Sequence, residues 1–237
     1  MCGIYGITQK NEKFIQSYID ACSHRGPDGQ GIWSSDKITL GHNLLSITDQ
    51  PTNSKQPWIT PHGNILIYNG EIFNYPDLII KYTDFNPRTT CDTELLAWGL
   101  DHYGIDFIDH IDSMHGFAYY NINKNELILS RDHAGIKPVY YAEIACGIVF
   151  GSEIKGMLDI VPNSRKIDPM ALACLSLTGI NATKNTFFSN IKKLLAGETL
   201  MYDVSNKKIK HMKRNIITAT STKNYQKKNF VLKQIKL

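Results

Sequence analysis

Cys2 offers the most reactive chemistry in this sequence because of its type and its position. It directly follows Met1, and methionine aminopeptidases remove an initiator methionine when the next side chain is small. The α-amine exposed in this way titrates at about 7.7–8.0, so part of it is an unprotonated base near neutral pH. A thiol with a pKa of about 8.5 is an intrinsically strong nucleophile. One residue would then carry a nucleophile and its base, although a cysteine in an apolar run is more commonly a small buried hydrophobe.

Three other polar clusters could form a site or simply serve the fold. Residues 24–31 contain three glycines, which let backbone come close to a neighbour, although a plain connection between a helix and a strand would look the same. Asn69-Gly70 is the strongest short signal for a hairpin turn. Asp92 opens a predicted helix that ends near Tyr103, and acidic residues are favoured in a first helical turn whether or not they bind a ligand.

The elements that must position these residues are mainly strands. Alternation and turn signals favour strands, hairpins and a few helices, whereas residues 48–63 are rich in Pro, Thr, Asn and Gln and indicate a long surface loop. Predicted strands are at 2–7, 30–34, 37–45 and 65–68; predicted hairpins are at 116–130, 139–150 and 198–211; predicted helices are at 12–23, from Pro76, at 92–103, near 153–159 and at 169–177. Consecutive hairpins argue for antiparallel sheet, so this pattern predicts an α+β protein.

Composition excludes several classes of protein. The chain has 237 residues, 42% hydrophobic content and a net charge of +4, which gives no case for nucleic acid binding. None of its five cysteines has C-x-x-C spacing, so no zinc or thioredoxin-type motif is predicted and we expect no metal. Because there is no signal peptide and no apolar run near the roughly 20 residues of a membrane helix, we expect no membrane contact and a cytoplasmic location.

Seven motifs in register resemble the glutaminase domain of glutamine-hydrolysing asparagine synthetase. They are Met-Cys-Gly-Ile-Tyr-Gly-Ile at 1–7, His-Arg-Gly-Pro-Asp at 24–28, Gly-His-Asn-Leu-Leu-Ser-Ile at 41–47, Tyr-Asn-Gly-Glu-Ile at 68–72, Cys-Asp-Thr-Glu at 91–94, Arg-Asp-His-Ala-Gly-Ile-Lys-Pro at 131–138 and Gly-Ser-Glu-Ile-Lys at 151–155. That domain is a class II glutamine amidotransferase of the N-terminal-nucleophile hydrolase type. The resemblance, together with the hairpins, implies a four-layer αββα sandwich of two antiparallel sheets flanked by helices.

The resemblance also implies a role for each matching residue. Cys2, once Met1 is lost, would attack the side-chain amide of L-glutamine, release ammonia and leave a thioester for water to hydrolyse. Asn69 and the backbone N–H of Gly70 would donate to the oxyanion that forms. Glu71 and Asp92 match acidic positions that hold the substrate, and Asp92 would bind the α-ammonium group. The neighbouring segment Ser46, Ile47 and Thr48 would contact the substrate largely through backbone.

Leu44 departs from the family pattern, which has an arginine that binds the α-carboxylate of the substrate. Leucine cannot replace a bidentate guanidinium. Three consequences remain open. Another cation could take over the role, with Arg25, Lys55 and Arg88 as candidates; glutamine could bind more weakly, by about 2–4 kcal/mol; or the pocket could accept a different amide.

The resemblance predicts a glutaminase domain over residues 2–211, followed by a basic, weakly ordered tail at 212–237. We expect the ATP-dependent synthetase domain to be absent, because no pyrophosphate or Gly-rich phosphate loop occurs. ATP and magnesium would belong to that domain, and no cofactor is expected in this chain. Expected partners are L-glutamine and a separate synthetase chain that receives ammonia, with a homodimer left open. A catalytically silent binding subunit is the alternative to an enzyme.

Overall fold

The computed structural model describes residues 1–47 and 50–214, and the strands within these ranges form two six-stranded antiparallel sheets. The strands are β1 (Gly3–Ile7), β2 (Gly29–Ser34), β3 (Thr39–Leu44), β4 (Trp58–Ile59), β5 (Ile65–Ile72), β6 (Ser113–Asn121), β7 (Glu126–Arg131), β8 (Tyr140–Ile144), β9 (Gly147–Gly151), β10 (Lys192–Lys193), β11 (Glu198–Asp203) and β12 (Lys208–Arg214). The first sheet has the order β10-β8-β9-β1-β3-β2, and the second has the order β12-β11-β7-β6-β5-β4.

Four α-helices and three short 3₁₀ helices accompany the sheets in the described ranges. The α-helices are α1 (Glu12–Ala21), α2 (Tyr75–Lys81), α3 (Asp92–Tyr103) and α4 (Pro169–Thr178), and the 3₁₀ helices are Ser23–Arg25, Gly104–His110 and Lys155–Met157. In this part of the chain, every helix is too short or too polar to cross a membrane.

Three apolar clusters show that the layers stack as helix, sheet, sheet and helix. Ile65 and Ile67 of β5 face the first sheet, where they meet Ile4 and Leu40. The alternate residues Leu66 and Tyr68 face the other way, onto α3. Because side chains alternate along a strand, one strand supplies both interfaces. On the outer face of the first sheet, Tyr5 and Ile7 pack against α1. The predicted αββα sandwich is confirmed.

The predicted surface loop at 48–63 is wrong for its second half. Trp58 and Ile59 form β4 and pair with β5. Ser54, Gln56 and Thr60 are buried. Gln56 explains the burial, because its side chain accepts a hydrogen bond from the Tyr68 backbone N–H at 2.6 Å. Polar composition alone could not distinguish such an anchored segment from a solvated one.

The hairpin turn considered at Asn69-Gly70 is also wrong. Both residues lie inside β5, where Asn69 pairs with Gly116 and Gly70 with His115 of β6. A Cβ on Gly70 would come within 2.4 Å of the Met114 carbonyl oxygen, so the glycine allows close strand contact rather than a turn. At the other end of the chain, β12 runs to Arg214, three residues past the predicted end of the domain at 211. The rest of the predicted tail, 215–237, lies outside the described residues.

Candidate active site

A single cavity collects the residues that the sequence singles out for chemistry. It lies where Cys2 enters β1, where β3 ends, along the second half of β5 and at the first turn of α3. With Met1 in place its volume is about 60 Å³. The predicted residues that line it are Cys2, Leu44, Ser46, Ile47, Asn69, Gly70, Glu71 and Asp92. Thr48, the remaining predicted contact, lies outside the described residues.

Cys2 is half-buried, and its thiol is held by the backbone at the end of β3. Its Sγ accepts a hydrogen bond from the Leu45 N–H at 3.3 Å and lies 3.5 Å from the Leu45 carbonyl oxygen. Its own carbonyl oxygen accepts from Arg25 Nε at 3.0 Å. Burial raises the pKa of the Cys2 thiol, while the Leu45 N–H and the nearby cations act in the opposite direction. The resting side chain is therefore a protonated thiol that needs a base.

The chain's own terminal amine is the base within reach. Met1 lines the cavity, and its amine stands one residue away from the position that the Cys2 amine takes after processing. Burial lowers the pKa of the Met1 amine, and Arg25 and Lys137 lower it further. An amine with a lowered pKa is more often unprotonated at neutral pH.

Asn69 presents an unused hydrogen-bond donor to the cavity. Its side chain is 2% exposed, and its Nδ2 has no hydrogen-bond partner among the described residues. An unpaired buried amide typically costs about 1–3 kcal/mol, so such groups are rare without a functional reason. Asn69 and the adjacent Gly70 line the cavity that also contains Cys2.

Asp92 supplies a buried carboxylate to the same cavity. Its Oδ2 accepts hydrogen bonds from the Tyr68 hydroxyl at 3.0 Å and from the Ile72 N–H at 2.9 Å. Burial raises its pKa, while these two donors act against the rise. As the first residue of α3 it serves the helix as well. The carboxylate is thus both structural and available to an ammonium group.

Leu44 is 5% exposed and forms an apolar part of the cavity wall. None of the three cations considered as replacements lines this cavity. Arg25 is bonded to Cys2 and to Glu153, with Nη1 3.2 Å from the carboxylate. Arg88 is paired with Glu94 at 3.0 Å beside another cavity, and Lys55 lines a third.

Lys137 and Gln56 are polar residues of the cavity that the sequence reasoning did not single out. Lys137 is 6% exposed and lines the cavity together with Cys2. Gln56 does so from the loop before β4, with Nε2 3.5 Å from Thr93 Oγ1. Lys137 belongs to one of the seven motifs, so its place in that motif was the available signal. Gln56 offered none, because its burial depends on contacts with β5 and α3.

Comparisons with known proteins agree with this arrangement. The four layers, with a cysteine at the head of β1, define the fold of the N-terminal-nucleophile hydrolases. The chain belongs to the family described as glutamine amidotransferase domain, which matches residues 1–214. The sequence-based assignment to class II glutamine amidotransferases of the asparagine synthetase type is confirmed.

Two curated relatives illustrate the similarity. Asparagine synthetase [glutamine-hydrolyzing] 2 of Bacillus subtilis is 33% identical over 214 residues, which cover 84% of this chain and 28% of that protein. Putative asparagine synthetase [glutamine-hydrolyzing] 2 of Methanocaldococcus jannaschii is 29% identical over 235 residues, covering 89% of this chain and 45% of that protein. The chain thus spans less than half the length of either relative.

A solved structure shares the fold at low sequence identity. The glutamine phosphoribosylpyrophosphate amidotransferase of Bacillus subtilis, solved with ADP and GMP, has a TM-score of 0.64 and 18% identity, covering 92% of this chain and 50% of that one. The similarity at this level of identity establishes the αββα architecture.

Proposed function

We propose that this chain hydrolyses the side-chain amide of L-glutamine to L-glutamate and ammonia through a thioester on Cys2. The observation that carries the proposal is the convergence of a thiol, an unpaired amide donor and a buried carboxylate on one cavity, from Cys2, Asn69 and Asp92. Membership of the glutamine amidotransferase domain family supports glutamine as the substrate.

The reaction begins when Met1 is removed and the Cys2 amine becomes free. Sγ attacks the amide carbon while the thiol proton passes to this amine, and the carbonyl oxygen becomes an oxyanion held by Asn69 Nδ2 and the Gly70 N–H. The amine then returns the proton to the leaving nitrogen, and the C–N bond breaks to release ammonia. Water attacks the thioester, the amine accepts a proton from it and passes it to sulfur, and glutamate leaves.

Asp92 would hold the α-ammonium group of the substrate at the far end of the cavity. A carboxylate already desolvated by the fold loses little hydration when it meets a cation, so the pair is stronger than a surface ion pair. Glu71 is half-buried beside it and adds negative charge. Ser46 and Ile47 border the opening; Ile47 is 76% exposed, which suits backbone contacts rather than a buried side-chain contact.

Glutamate release from glutamine by the purified protein tests the proposal. Intact mass first establishes that Met1 is absent. Cys2→Ala should abolish turnover, whereas Cys146→Ala, which changes another half-buried cysteine, should leave it unchanged. Processed protein that binds glutamine but never releases glutamate would contradict the hydrolysis and favour the silent binding subunit.

Leu44 favours a second candidate, an amidohydrolase for a different amide. The apolar wall at Leu44 offers no partner to an α-carboxylate, so an amide substrate with a neutral group there would bind without leaving a charge unpaired. Comparing L-glutamine with its α-amide distinguishes the candidates. A preference for the α-amide would support the second, and Leu44→Arg should then reverse the preference.

Ammonia released here would pass to an acceptor domain or chain of the synthetase type. The part that this chain matches makes up 28% and 45% of the two asparagine synthetase relatives. In addition, α4 buries only Ala171 of its ten residues and exposes an apolar surface. The exposed apolar residues are Ile167, Met170, Leu172, Leu175, Leu177 and Ile180. Light scattering tests whether a second copy covers this surface, and titration with a synthetase-type chain tests the acceptor.

A further inference from the structure

Lys137 is a buried lysine that neither the family assignment nor the reaction above uses. It lies in the loop between β7 and β8 and lines the cavity together with Cys2. Its exposed fraction is 6%. A lysine that is mostly buried and shares a cavity with a nucleophile calls for an explanation.

The loop holds the backbone of Lys137 from both sides. The fully buried Asp132 accepts hydrogen bonds from the N–H groups of Ile136 and Lys137, both at 2.9 Å, and from the His115 N–H at 3.2 Å. Arg131 Nε donates to the Lys137 carbonyl oxygen at 3.0 Å, and its Nη1 donates to the Leu194 carbonyl oxygen at 2.7 Å. The Arg-Asp pair thus fixes the position from which the lysine side chain leaves the loop.

The side chain itself has no structural partner. Across residues 1–47 and 50–214, Lys137 Nζ forms neither an ion pair within 4.0 Å nor a hydrogen bond. Burial lowers the pKa of Lys137, while Cys2, Asp132 and Glu71 favour its charged form. Cys2 is the strongest of these charge contacts. The lysine therefore interacts with Cys2 when the thiol ionises.

We propose that Lys137 is a positioning residue of this site, whose ammonium group stabilises the Cys2 thiolate and the unprotonated terminal amine within the cavity. The catalytic role of Lys137 rests on the proposed function. Its electrostatic effect on the ionisation of Cys2 does not depend on that function. A cation near the pair favours the thiolate and disfavours the protonated amine, so it supports both forms that the attack needs.

Other charged groups surround the thiol and the amine. Arg25, from the 3₁₀ helix Ser23–Arg25, acts in the same direction as Lys137 on both the thiol and the amine. Asp28 acts in the opposite direction on the amine. The cavity also contains Glu71 of β5 and Asp92 of α3. Arg25 is shared with the Glu153 carboxylate, which leaves Lys137 as the cation without a direct counter-ion.

The direction of the effect follows from these signs. Without Lys137, the pKa values of the thiol and of the amine both rise. A higher thiol pKa leaves less thiolate at pH 7, so Cys2 reacts more slowly with an electrophile. A higher amine pKa keeps the base protonated to a higher pH. The acid limb of the pH profile of kcat/KM therefore shifts to higher pH. A shift of about one pKa unit corresponds to about a tenfold change.

Alkylation of Cys2 by iodoacetamide between pH 5 and 10, followed by peptide mass mapping, tests the proposal without any substrate. In Lys137→Met we expect the alkylation rate at pH 7 to fall about threefold to tenfold, with the apparent pKa displaced upward. Lys137→Arg should retain the wild-type profile, and Lys137→Gln provides a second neutral variant if the methionine variant does not fold. Lys10→Met, which removes an exposed lysine paired with Asp36, controls for net charge.

The outcomes separate this inference from the proposed function. An altered alkylation profile in protein that never hydrolyses glutamine would uphold the lysine's role and defeat the hydrolysis. Unchanged alkylation in both neutral variants would overturn the inference, whatever the glutaminase activity. A raised KM for glutamine with an unchanged alkylation profile would also overturn it, because Lys137 would then bind the substrate carboxylate instead.

Discussion

Replacing Asn69 should lower activity and raise stability together. Its Nδ2 is buried without a hydrogen-bond partner in the described part of the chain, a situation that typically costs about 1–3 kcal/mol. The same group is the proposed oxyanion donor, and loss of one such donor typically reduces kcat by about 10²–10³. Asn69→Ala removes both the unfavourable free energy of the unpaired amide and the proposed oxyanion donor.

The expected stability change follows from two opposing effects. Removing the unpaired amide should raise the free energy of unfolding by about 1–3 kcal/mol. The space left by the shorter side chain should lower it by about 1 kcal/mol, because the site borders a cavity. The net gain of up to about 2 kcal/mol corresponds to a Tm increase of up to roughly 4–8 °C for a chain of this size. Differential scanning calorimetry measures it, and glutamate release gives kcat and KM.

Asn64 provides a matched control just before the same strand. It is 4% exposed, but its Nδ2 donates to Asp101 at 2.8 Å and its Oδ1 accepts from the Ile122 N–H at 3.1 Å. Asn64→Ala should therefore lose about 1–3 kcal/mol and keep kcat. If Asn69→Ala instead lost stability to the same extent and kept kcat, Asn69 would be a structural residue and the oxyanion assignment would be refuted.

Three further predictions concern pH and substrate binding. Burial lowers the pKa of His42 and of His115 to about 4. As the pH falls, the unfolded chain takes up these protons near pH 6.5, before the folded protein does. Each histidine should therefore lower the free energy of unfolding by up to about 3 kcal/mol as the pH falls from 6.5 to 4. Urea unfolding should show a smaller loss in His42→Gln, and an equal loss would contradict this. Leu44→Arg should lower KM for glutamine about tenfold or more, and an unchanged KM would show that the carboxylate lies elsewhere. Asp92→Asn should raise KM by a similar factor without changing Cys2 alkylation; altered alkylation would show that it acts on the nucleophile.

Local sequence signals predicted the elements that carry the site, because preferences of neighbouring residues determine these elements. Strand β1 follows from the alternation in residues 2–7, where Ile4 faces one apolar interface and Tyr5 and Ile7 face the other. Helix α3 has an acid at its start and Gly104 at its end with a φ of 62°, which is the left-handed conformation that favours glycine. These features require no knowledge of distant residues.

The path of the chain at Asn69-Gly70 could not be predicted in the same way. The Asn69-Gly70 dipeptide is a strong turn signal. It continues strand β5 because β6 pairs with β5 along the full length of β5. The burial of Gln56 likewise depends on the Tyr68 N–H, twelve residues away. Both errors arise where a tertiary contact overrides a local preference, and both fall at the cavity.

One of the buried polar atoms that lack partners, Asn69 Nδ2, belongs to a residue that lines the cavity with Cys2. Among the described residues, those without a hydrogen-bond partner include Arg25 Nη2, His42 Nδ1, Asn43 Oδ1 and Asn69 Nδ2. Arg25 holds the Cys2 carbonyl oxygen, and His42 and Asn43 belong to the strand that pairs with β1. A fold selected for stability alone would satisfy or replace such groups. Asn69 is the one of these residues that lines the cavity, so a substitution that relieves its unpaired amide should stabilise the protein at the expense of its activity.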